Sequence, residues 1–305
     1  MTSRPYFCAH ADTWFHIREL ADRIHLISEP GHVNSYLVVG DTSAALFDSG
    51  MGIAPISDVV RQLTSLPVLV IASHHHIDHR GGHADLATSG IALAGFGAHP
   101  AAFAPDSHCA HVDADPSFLE QYASAFRTVI GDYAQYRALD DHHFFVLPRL
   151  GRMRALPDLT AWRVPAVQPT LPLADGELID LGGRRLRVLH TAGHAPDVLC
   201  LFEEDTGILF SGDTVLGAAH WLHGDDADVE QFARSTARLA ELNVSRVLAA
   251  HNLTSDIPAA AVGEVAAAAR ALLAGNTSSQ PSTDLLGRSV CRHDHGPVTL
   301  LTSSS

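Results

Sequence analysis

Cysteine is scarce in this chain, and both a secretion signal and a long apolar run are missing. The four cysteines, Cys8, Cys109, Cys200 and Cys291, are scattered without a Cys-x-x-Cys pair, which predicts free thiols in a reducing compartment. Residues 1–20 lack the basic start and apolar run of a signal peptide. No apolar stretch approaches the roughly 20 residues that span a bilayer. We therefore expect a cytoplasmic protein without a membrane partner.

Basic side chains are also few. The chain has 20 Lys and Arg against 34 Asp and Glu, which gives a formal net charge of −14. Because a nucleic-acid-binding surface carries a basic stripe, we expect no nucleic-acid partner. At 305 residues, with 46% hydrophobic and 18% charged side chains, the chain is long and apolar enough to fold around a sizeable core. We expect a small-molecule substrate as its partner.

Histidine, by contrast, is abundant and clustered. Among 21 histidines, four lie with an aspartate inside residues 74–79, and the candidate metal ligands among them are His74, His76, Asp78 and His79. They follow an apolar run at residues 68–72 that predicts a buried strand. Since side chains at i and i+2 of a strand share a face, and a Gly-Gly turn follows, these four groups can converge. Imidazole and carboxylate ligands suit zinc, with manganese or iron as alternatives.

Three further candidate ligands each follow a predicted strand. His194 comes after the strand at residues 185–190, Asp213 after that at 207–211, and His251 after that at 245–250. The alternative interpretation, a histidine-rich surface loop, predicts no such downstream residues. Alpha/beta proteins place their sites at strand ends, which favours a metal site.

These motifs together resemble the metallo-β-lactamase fold superfamily. The resemblance rests on His-x-His-x-Asp-His, Gly-His, Ser-Gly-Asp-Thr and Ala-His-Asn, and on residues 34–38 and 45–50, and it covers about residues 20–255. It implies an α/β fold, a four-layer αββα sandwich, over residues 1–275. A helical insertion at about 98–166 interrupts this domain. Residues 276–305 are predicted to be a linker and tail.

The same resemblance implies a binuclear site for two divalent ions. His74, His76 and His194 would hold the first ion, and Asp78, His79 and His251 the second, with Asp213 between them. It further implies that a hydroxide bridging the ions attacks the substrate, so that Asp78 and Asp213 are the candidate catalytic residues. Asp48 resembles a residue that orients a ligand histidine.

Several other residues carry weaker expectations. In an extended strand His75 points away from the ligands, and His190 supports the turn before His194. His220 and His223, with Trp221, follow Asp213 at a distance that allows them to line the substrate pocket. The stretch 292–295, Arg-His-Asp-His, is expected to be solvated tail rather than a further metal site.

The insertion is predicted to contain a helix with one apolar stripe. Asp115 caps this helix and Pro116 occupies its first position. The stripe, at spacings of three and four, consists of Phe118, Tyr122, Phe126, Val129, Tyr133 and Tyr136. With a second segment at residues 144–156, it forms either a hairpin packed on the sandwich or a lid or homodimer surface beside the metals.

The leading functional hypothesis is hydrolysis of an ester, thioester or lactone. Cleavage of a phosphodiester or sulfate ester uses the same nucleophile and stays open as an alternative. A non-catalytic, metal-binding regulatory protein is less compatible, because degenerate relatives lose ligands first and this chain has the full set.

We predict that β-lactams are not the physiological substrate. Enzymes of the superfamily with that activity usually carry Cys or Ser where this chain has Asp213, which leaves their metals without a bridging carboxylate. The expected result is a kcat/KM below about 10⁵ M⁻¹s⁻¹ for penicillins and carbapenems, measured on the zinc-loaded protein. Hydrolysis at or above that value would contradict the prediction.

Overall fold

A seven-stranded mixed sheet forms the first half of the molecule. The computed structural model describes residues 7–29, 32–131, 156–251 and 256–304. In spatial order, the strands are β1 (His16–Ala21), β2 (Ile24–Glu29), β3 (Val33–Val39), β4 (Ala44–Phe47), β5 (Val68–Ile71), β6 (Leu93–Ala98) and β7 (Leu171–Pro172). Strands β1–β4 are antiparallel, and β4–β7 run parallel.

A six-stranded sheet forms the second half. Its spatial order is β14 (Asp256–Pro258), β13 (Arg246–Ala249), β11 (Ile208–Gly212), β10 (Leu199–Glu203), β9 (Arg185–His190) and β8 (Leu178–Asp180). Only the β11–β13 pair is parallel among these strands. The helices described are α1 (Ala11–Trp14), α2 (Ile56–Leu63), α3 (Ile77–Arg80), α4 (His83–Thr88), α5 (Pro116–Gly131), α6 (Val229–Leu239) and α7 (Ala260–Leu273).

Alternate residues of the central strands face two different cores. Leu69 of β5 and Leu248 of β13 belong to the core between the two sheets. Their neighbours Val70 and Val247 face outward, into the cluster that contains Val60 of α2 and the apolar side of α7. Period-two strands buried on both faces therefore give the order helix, sheet, sheet, helix. The four-layer αββα prediction is confirmed.

The insertion packs one face of α5 against the sandwich. Asp115 Oδ1 accepts a hydrogen bond from the Ser117 amide at 2.7 Å, as expected of a capping residue. Tyr122 and Phe126 are buried, and the returning chain is fastened by Trp162, whose Nε1 donates to the Met51 carbonyl at 2.8 Å. The Val129 side chain, Tyr133, Tyr136 and residues 144–155 lie outside the described part of the chain.

The carboxyl-terminal residues form a third sheet, so the prediction of a linker and solvated tail is wrong. Strand β15 (Ser278–Thr283) pairs with β16 (Ser289–His295), which pairs with β17 (Val298–Ser303). Strand β12 (His220–Leu222) completes the sheet beside β17. The Ser/Thr/Pro composition of β15 suits an exposed edge strand, where Pro281 needs no ladder partner for its nitrogen.

Residues 292–295 lie on β16 and take part in its side-chain network. The Arg292 Nε donates to Asp294 at 2.9 Å, and His293 Nδ1 lies 3.0 Å from Thr277 Oγ1. No metal-ligand cluster within the described ranges includes them. None of the helices described is both long and apolar enough to cross a membrane.

We predict that the third sheet is an integral part of the fold. Leu300 on β17 is fully buried in the main core cluster, so Leu300→Ala should lower the free energy of unfolding by about 2–5 kcal/mol in a denaturant titration. Thr283→Ala, on the exposed edge strand, is the matched control and should change it by less than about 0.5 kcal/mol. Equal stability of the two variants would show that the sheet is not packed on the core.

Candidate metal centre and its cavity

The first four candidate ligands lie where the chain leaves β5 and turns into α3. His74 and His76 precede the helix, and Asp78 and His79 lie on it. The turn needs glycine after the helix, because a Cβ on Gly81 would lie 2.2 Å from the carbonyl carbon of Met51. The close approach of these backbones holds α3 over the strand ends.

Three imidazoles form the first group. His74 Nε2 lies 2.9 Å from His76 Nδ1, and His194 Nε2 lies 3.1 Å from the same His76 atom. The His194 ring is oriented by its Nδ1, which donates to the Trp221 carbonyl at 2.7 Å, so that Nε2 faces the other rings. The three nitrogens are close enough to share one ion.

The second group consists of Asp78, His79 and His251. Asp78 Oδ2 lies 3.5 Å from His251 Nε2 and 3.7 Å from His79 Nε2. Asp213 lies between the groups, since its Oδ2 is 3.4 Å from His194 Nε2 and its Oδ1 is 3.3 Å from His251 Nε2. The structure thus brings together all seven residues that the sequence predicts as ligands.

The chemistry of these donors fits divalent metal ions. His79 Nε2 and Asp213 Oδ1 are buried and have no hydrogen-bond partner in the part of the chain described. Polar atoms are rarely left in this state, because leaving a buried group unsatisfied costs about 1–3 kcal/mol. Five imidazoles and two carboxylates suit zinc. The ligand atoms lie close enough to hold an ion in three overlapping groups: His74, His76 and His194; His74, His79 and Asp213; and Asp78, His79 and His251.

The charges of the cluster favour a cation over a proton. Burial lowers the pKa of His74 well below its usual range, and nearby imidazoles lower it further, so the ring is a neutral ligand. Burial raises the pKa of Asp213, yet His251 and His79 hold it well below its usual range. Burial also lowers the pKa of His79, but three nearby carboxylates raise it well above its usual range. A bound cation would replace the proton that His79 otherwise retains.

Asp48 orients His79, as the sequence predicts. Its Oδ2 lies 2.8 Å from His79 Nδ1, and its Oδ1 accepts from the Ser73 amide at 2.7 Å. The Ser73 hydroxyl in turn lies 3.0 Å from His74 Nδ1. Asp48 adopts φ +63°, a left-handed conformation that costs free energy in a residue with a Cβ. This strained residue therefore positions one ligand of each group.

A cavity of about 400 Å³ opens in front of the cluster. Asp78, His76, His194 and Asp213 reach its surface. Most of its wall is apolar or aromatic and comes from α3, the insertion and the third sheet: Ile77, Val112, Phe118, Tyr122, Trp221 and Leu286. An apolar cavity that ends at a few converging polar groups is the usual form of a small-molecule site.

His75 differs from its prediction. It is not one of the seven donors, but its ring lines the cavity instead of pointing to the opposite side of the strand. The reason is that β5 ends at Ile71, so the alternation of an extended strand does not continue to residue 75. His75 Nδ1 lies 2.8 Å from Asp197 Oδ1, and its Nε2 lies 3.4 Å from Asp226 Oδ2.

The other histidines support the backbone around the site. His190 Nε2 lies 2.7 Å from the Pro196 carbonyl, which confirms its expected role in the turn before His194. His220 Nε2 accepts from the Leu216 amide at 3.1 Å, and His223 Nε2 lies 3.1 Å from Asp284 Oδ2. Neither of these two histidines is among the cavity-lining residues, whereas Trp221 between them is.

Two cavity residues, Leu286 and Arg288, could not be found from the sequence. They lie in the turn between β15 and β16, which brings them to the cavity from the third sheet. Arg288 Nε donates to Asp284 Oδ2 at 2.5 Å, and its guanidinium lies 5.9 Å from the Trp221 ring centroid. No sequence motif identifies these residues. Their position depends on the pairing of β15 with β16, and the Ser/Thr/Pro-rich sequence of β15 does not predict a strand.

The chain is similar to several known proteins. The model of the metallo-beta-lactamase superfamily matches residues 28–108 and 123–251. The chain is 28% identical over 263 residues to the acyl-coenzyme A thioesterase MBLAC2 of Homo sapiens, a match that spans 78% of this chain and 81% of the relative. It is 34% identical over 77 residues to a hydroxyacylglutathione hydrolase of Francisella philomiragia, a match covering 25% of this chain and 31% of that protein.

Solved structures share the fold at low sequence identity. A metallo-beta-lactamase from Pontibacter korlensis aligns with a TM-score of 0.52 and 16% identity over 84% of this chain and 99% of its own. The MIM-2 metallo-beta-lactamase aligns with a TM-score of 0.51 and 20% identity, over 83% of this chain and 87% of its own. These matches support the architecture of the sandwich.

We predict that Asp48→Asn weakens zinc binding by about 10–100-fold, because the amide no longer stabilises the His79 ring as a carboxylate does. Competition with a chromophoric chelator measures the affinity.

Asp213→Ala removes a donor outright and should lose much of the second ion and nearly all turnover. Asp205→Asn, in the exposed turn after β10, is the control. Unchanged affinity in Asp48→Asn would contradict the assigned role, and full activity in Asp213→Ala would contradict the ligand set.

Proposed function

Because the chain belongs to the metallo-beta-lactamase superfamily, we propose that it is a binuclear metal-dependent hydrolase that cleaves acyl thioesters. One observation carries this proposal: seven metal donors, six of them buried and His76 half-buried, converge at the end of a cavity with a largely apolar wall. Oxoesters and lactones share the reacting carbonyl and are the nearest alternatives. The relatives named acyl-coenzyme A thioesterases, similar over most of both chains, favour the thioester.

The site residues divide between two ions. His74, His76 and His194 are proposed to hold one, Asp78, His79 and His251 the other, and Asp213 both, with zinc preferred and manganese or iron as alternatives. Ions held by these donors supply Lewis-acid catalysis and a nucleophile from water at neutral pH. The protein holds the donor rings in place through hydrogen bonds at Nδ1. Asp48 binds the His79 ring, and backbone carbonyls bind the rings of His194 and His251.

The cavity wall positions the acyl group. Ile77, Phe118, Trp221 and Leu286 offer an apolar surface to an acyl chain and keep bulk water from it. The reaction transfers the oxygen of water to the acyl carbon and breaks the carbon–sulfur bond. A carboxylate and a thiol leave, and one proton is released. A thiol product is compatible with the cytoplasm, where we also place the chain on the basis of its four free cysteines.

The electrostatics of the cavity disfavour the phosphodiester and sulfate-ester alternative. Two carboxylates beyond the metal ligands, those of Asp113 and Asp115, line it. Its two arginines are already engaged: Arg80 donates to the carbonyls of His75 and Val112 at 2.7 and 2.8 Å, and Arg288 donates to Asp284. An anionic reacting group would therefore meet the Asp113 and Asp115 carboxylates, while the guanidinium groups of Arg80 and Arg288 are held by other partners.

We predict that the zinc-loaded protein hydrolyses medium-chain acyl thioesters and not phosphodiesters. An octanoyl thioester, followed by release of free thiol with a disulfide reagent, should show a kcat/KM at least about 100-fold above that for bis(p-nitrophenyl) phosphate, because the apolar wall stabilises only the acyl substrate. Metal-stripped protein is the control, and activity should return with about two zinc ions per chain. Faster phosphodiester cleavage would overturn the assigned bond type.

A further inference from the structure

Helix α5 of the insertion contributes a phenol to the cavity, beside the candidate catalytic carboxylates. Tyr122 lines the same cavity as Asp78 and Asp213. We propose that the Tyr122 hydroxyl is a catalytic hydrogen-bond donor to the carbonyl oxygen of the acyl substrate. This inference rests on the proposed function, because it assumes a carbonyl at the reacting position. It assigns a chemical task to a residue that is not one of the seven metal donors.

The Tyr122 ring is held in one orientation by its aromatic neighbours. Its centroid lies 4.8 Å from that of Phe126 and 5.8 Å from that of Phe118, the residues one helical turn away on either side. Trp162 of the returning chain lies at 6.3 Å. With only 5% of its surface exposed, the ring has little freedom to rotate. A donor fixed in this way needs no reorganisation when charge develops on a substrate oxygen.

The hydroxyl of Tyr122 is available for a substrate. It makes no hydrogen bond to any residue within the described ranges, although a buried tyrosine usually has such a partner. A tyrosine phenol has a pKa of about 10, so the Tyr122 hydroxyl carries its proton at neutral pH. It acts by donating a hydrogen bond, and the proton stays on the tyrosine oxygen.

Other donors in the cavity are less suited to this role. The Arg80 guanidinium donates to two backbone carbonyls, and Arg288 donates to the buried Asp284. Both nitrogens of His75 face carboxylates, at 2.8 and 3.4 Å. Tyr122 combines a neutral O–H group, a fixed ring and a position beside the metal donors.

The test is Tyr122→Phe, which keeps the ring and its packing and removes one oxygen. We expect kcat to fall by about 10²–10³-fold, the effect of losing one donor to a developing oxyanion, while KM changes less than about threefold. The fall should be equal for an octanoyl thioester and for p-nitrophenyl octanoate, because both share the carbonyl and differ only in the leaving group. Zinc content should match that of the parent.

The matched control is Tyr36→Phe. The Tyr36 hydroxyl donates to the Ala249 carbonyl at 2.6 Å in the core and does not line the cavity. This variant should lower the melting temperature and leave kcat unchanged. Unaltered kcat in Tyr122→Phe would overturn the inference. A fall seen with the thioester alone would also overturn it, since the phenol would then assist the leaving group and not the carbonyl.

A binding measurement separates this inference from the proposed function. A trifluoromethyl ketone that hydrates at its carbonyl mimics the tetrahedral state in which the oxyanion develops and has no bond to cleave. By calorimetry on zinc-loaded protein, Tyr122→Phe should bind it about tenfold more weakly than the parent. If the parent hydrolyses neither ester, the proposed function fails, and the ketone affinities alone decide the role of Tyr122. Equal affinities of the two proteins would refute that role.

Discussion

The fold depends on bringing buried ionisable groups together at the ends of strands from two different sheets. His74 follows a strand of the first sheet, whereas Asp213 and His251 follow strands of the second. Asp213 Oδ1 and His79 Nε2 are buried without hydrogen bonds among the residues described, a state that is costly unless a cation joins them. Ion binding and correct packing of the two sheets are therefore coupled, and we expect the folded protein to gain stability from the metal.

Much of this arrangement could be predicted from the sequence, because the ligand motifs are local. The spacing of His74, His76, Asp78 and His79 places them on one strand end and the following turn, and the structure brings them together. His194, Asp213 and His251 each follow an apolar strand, so their convergence needs only that the strands lie side by side. Near-continuous apolar strands such as residues 68–72 indicate burial on both faces, whereas the four-layer order was implied by the resemblance to the superfamily.

The rest could not be predicted, because it depends on contacts distant in sequence. Strand β15 has the composition of a linker and becomes a strand only through its pairing with β16. The position of Leu286 in the cavity follows from that pairing. His75 was expected to follow the alternation of an extended strand. Strand β5 ends at Ile71, so the direction of the His75 side chain depends on the turn that follows. The metal donors lie in short local motifs and could be predicted, whereas the side chains that surround them depend on strand pairing between distant parts of the chain.

The cavity wall has a consequence for how such proteins diverge. Phe118 and Tyr122 come from the insertion and Leu286 from the third sheet, while the metal donors belong to the sandwich itself. A substitution or a change of length in either outlying segment alters the shape of the cavity without replacing a metal donor. Substrate range can therefore drift rapidly among descendants of one ancestor while the hydrolytic machinery is inherited intact.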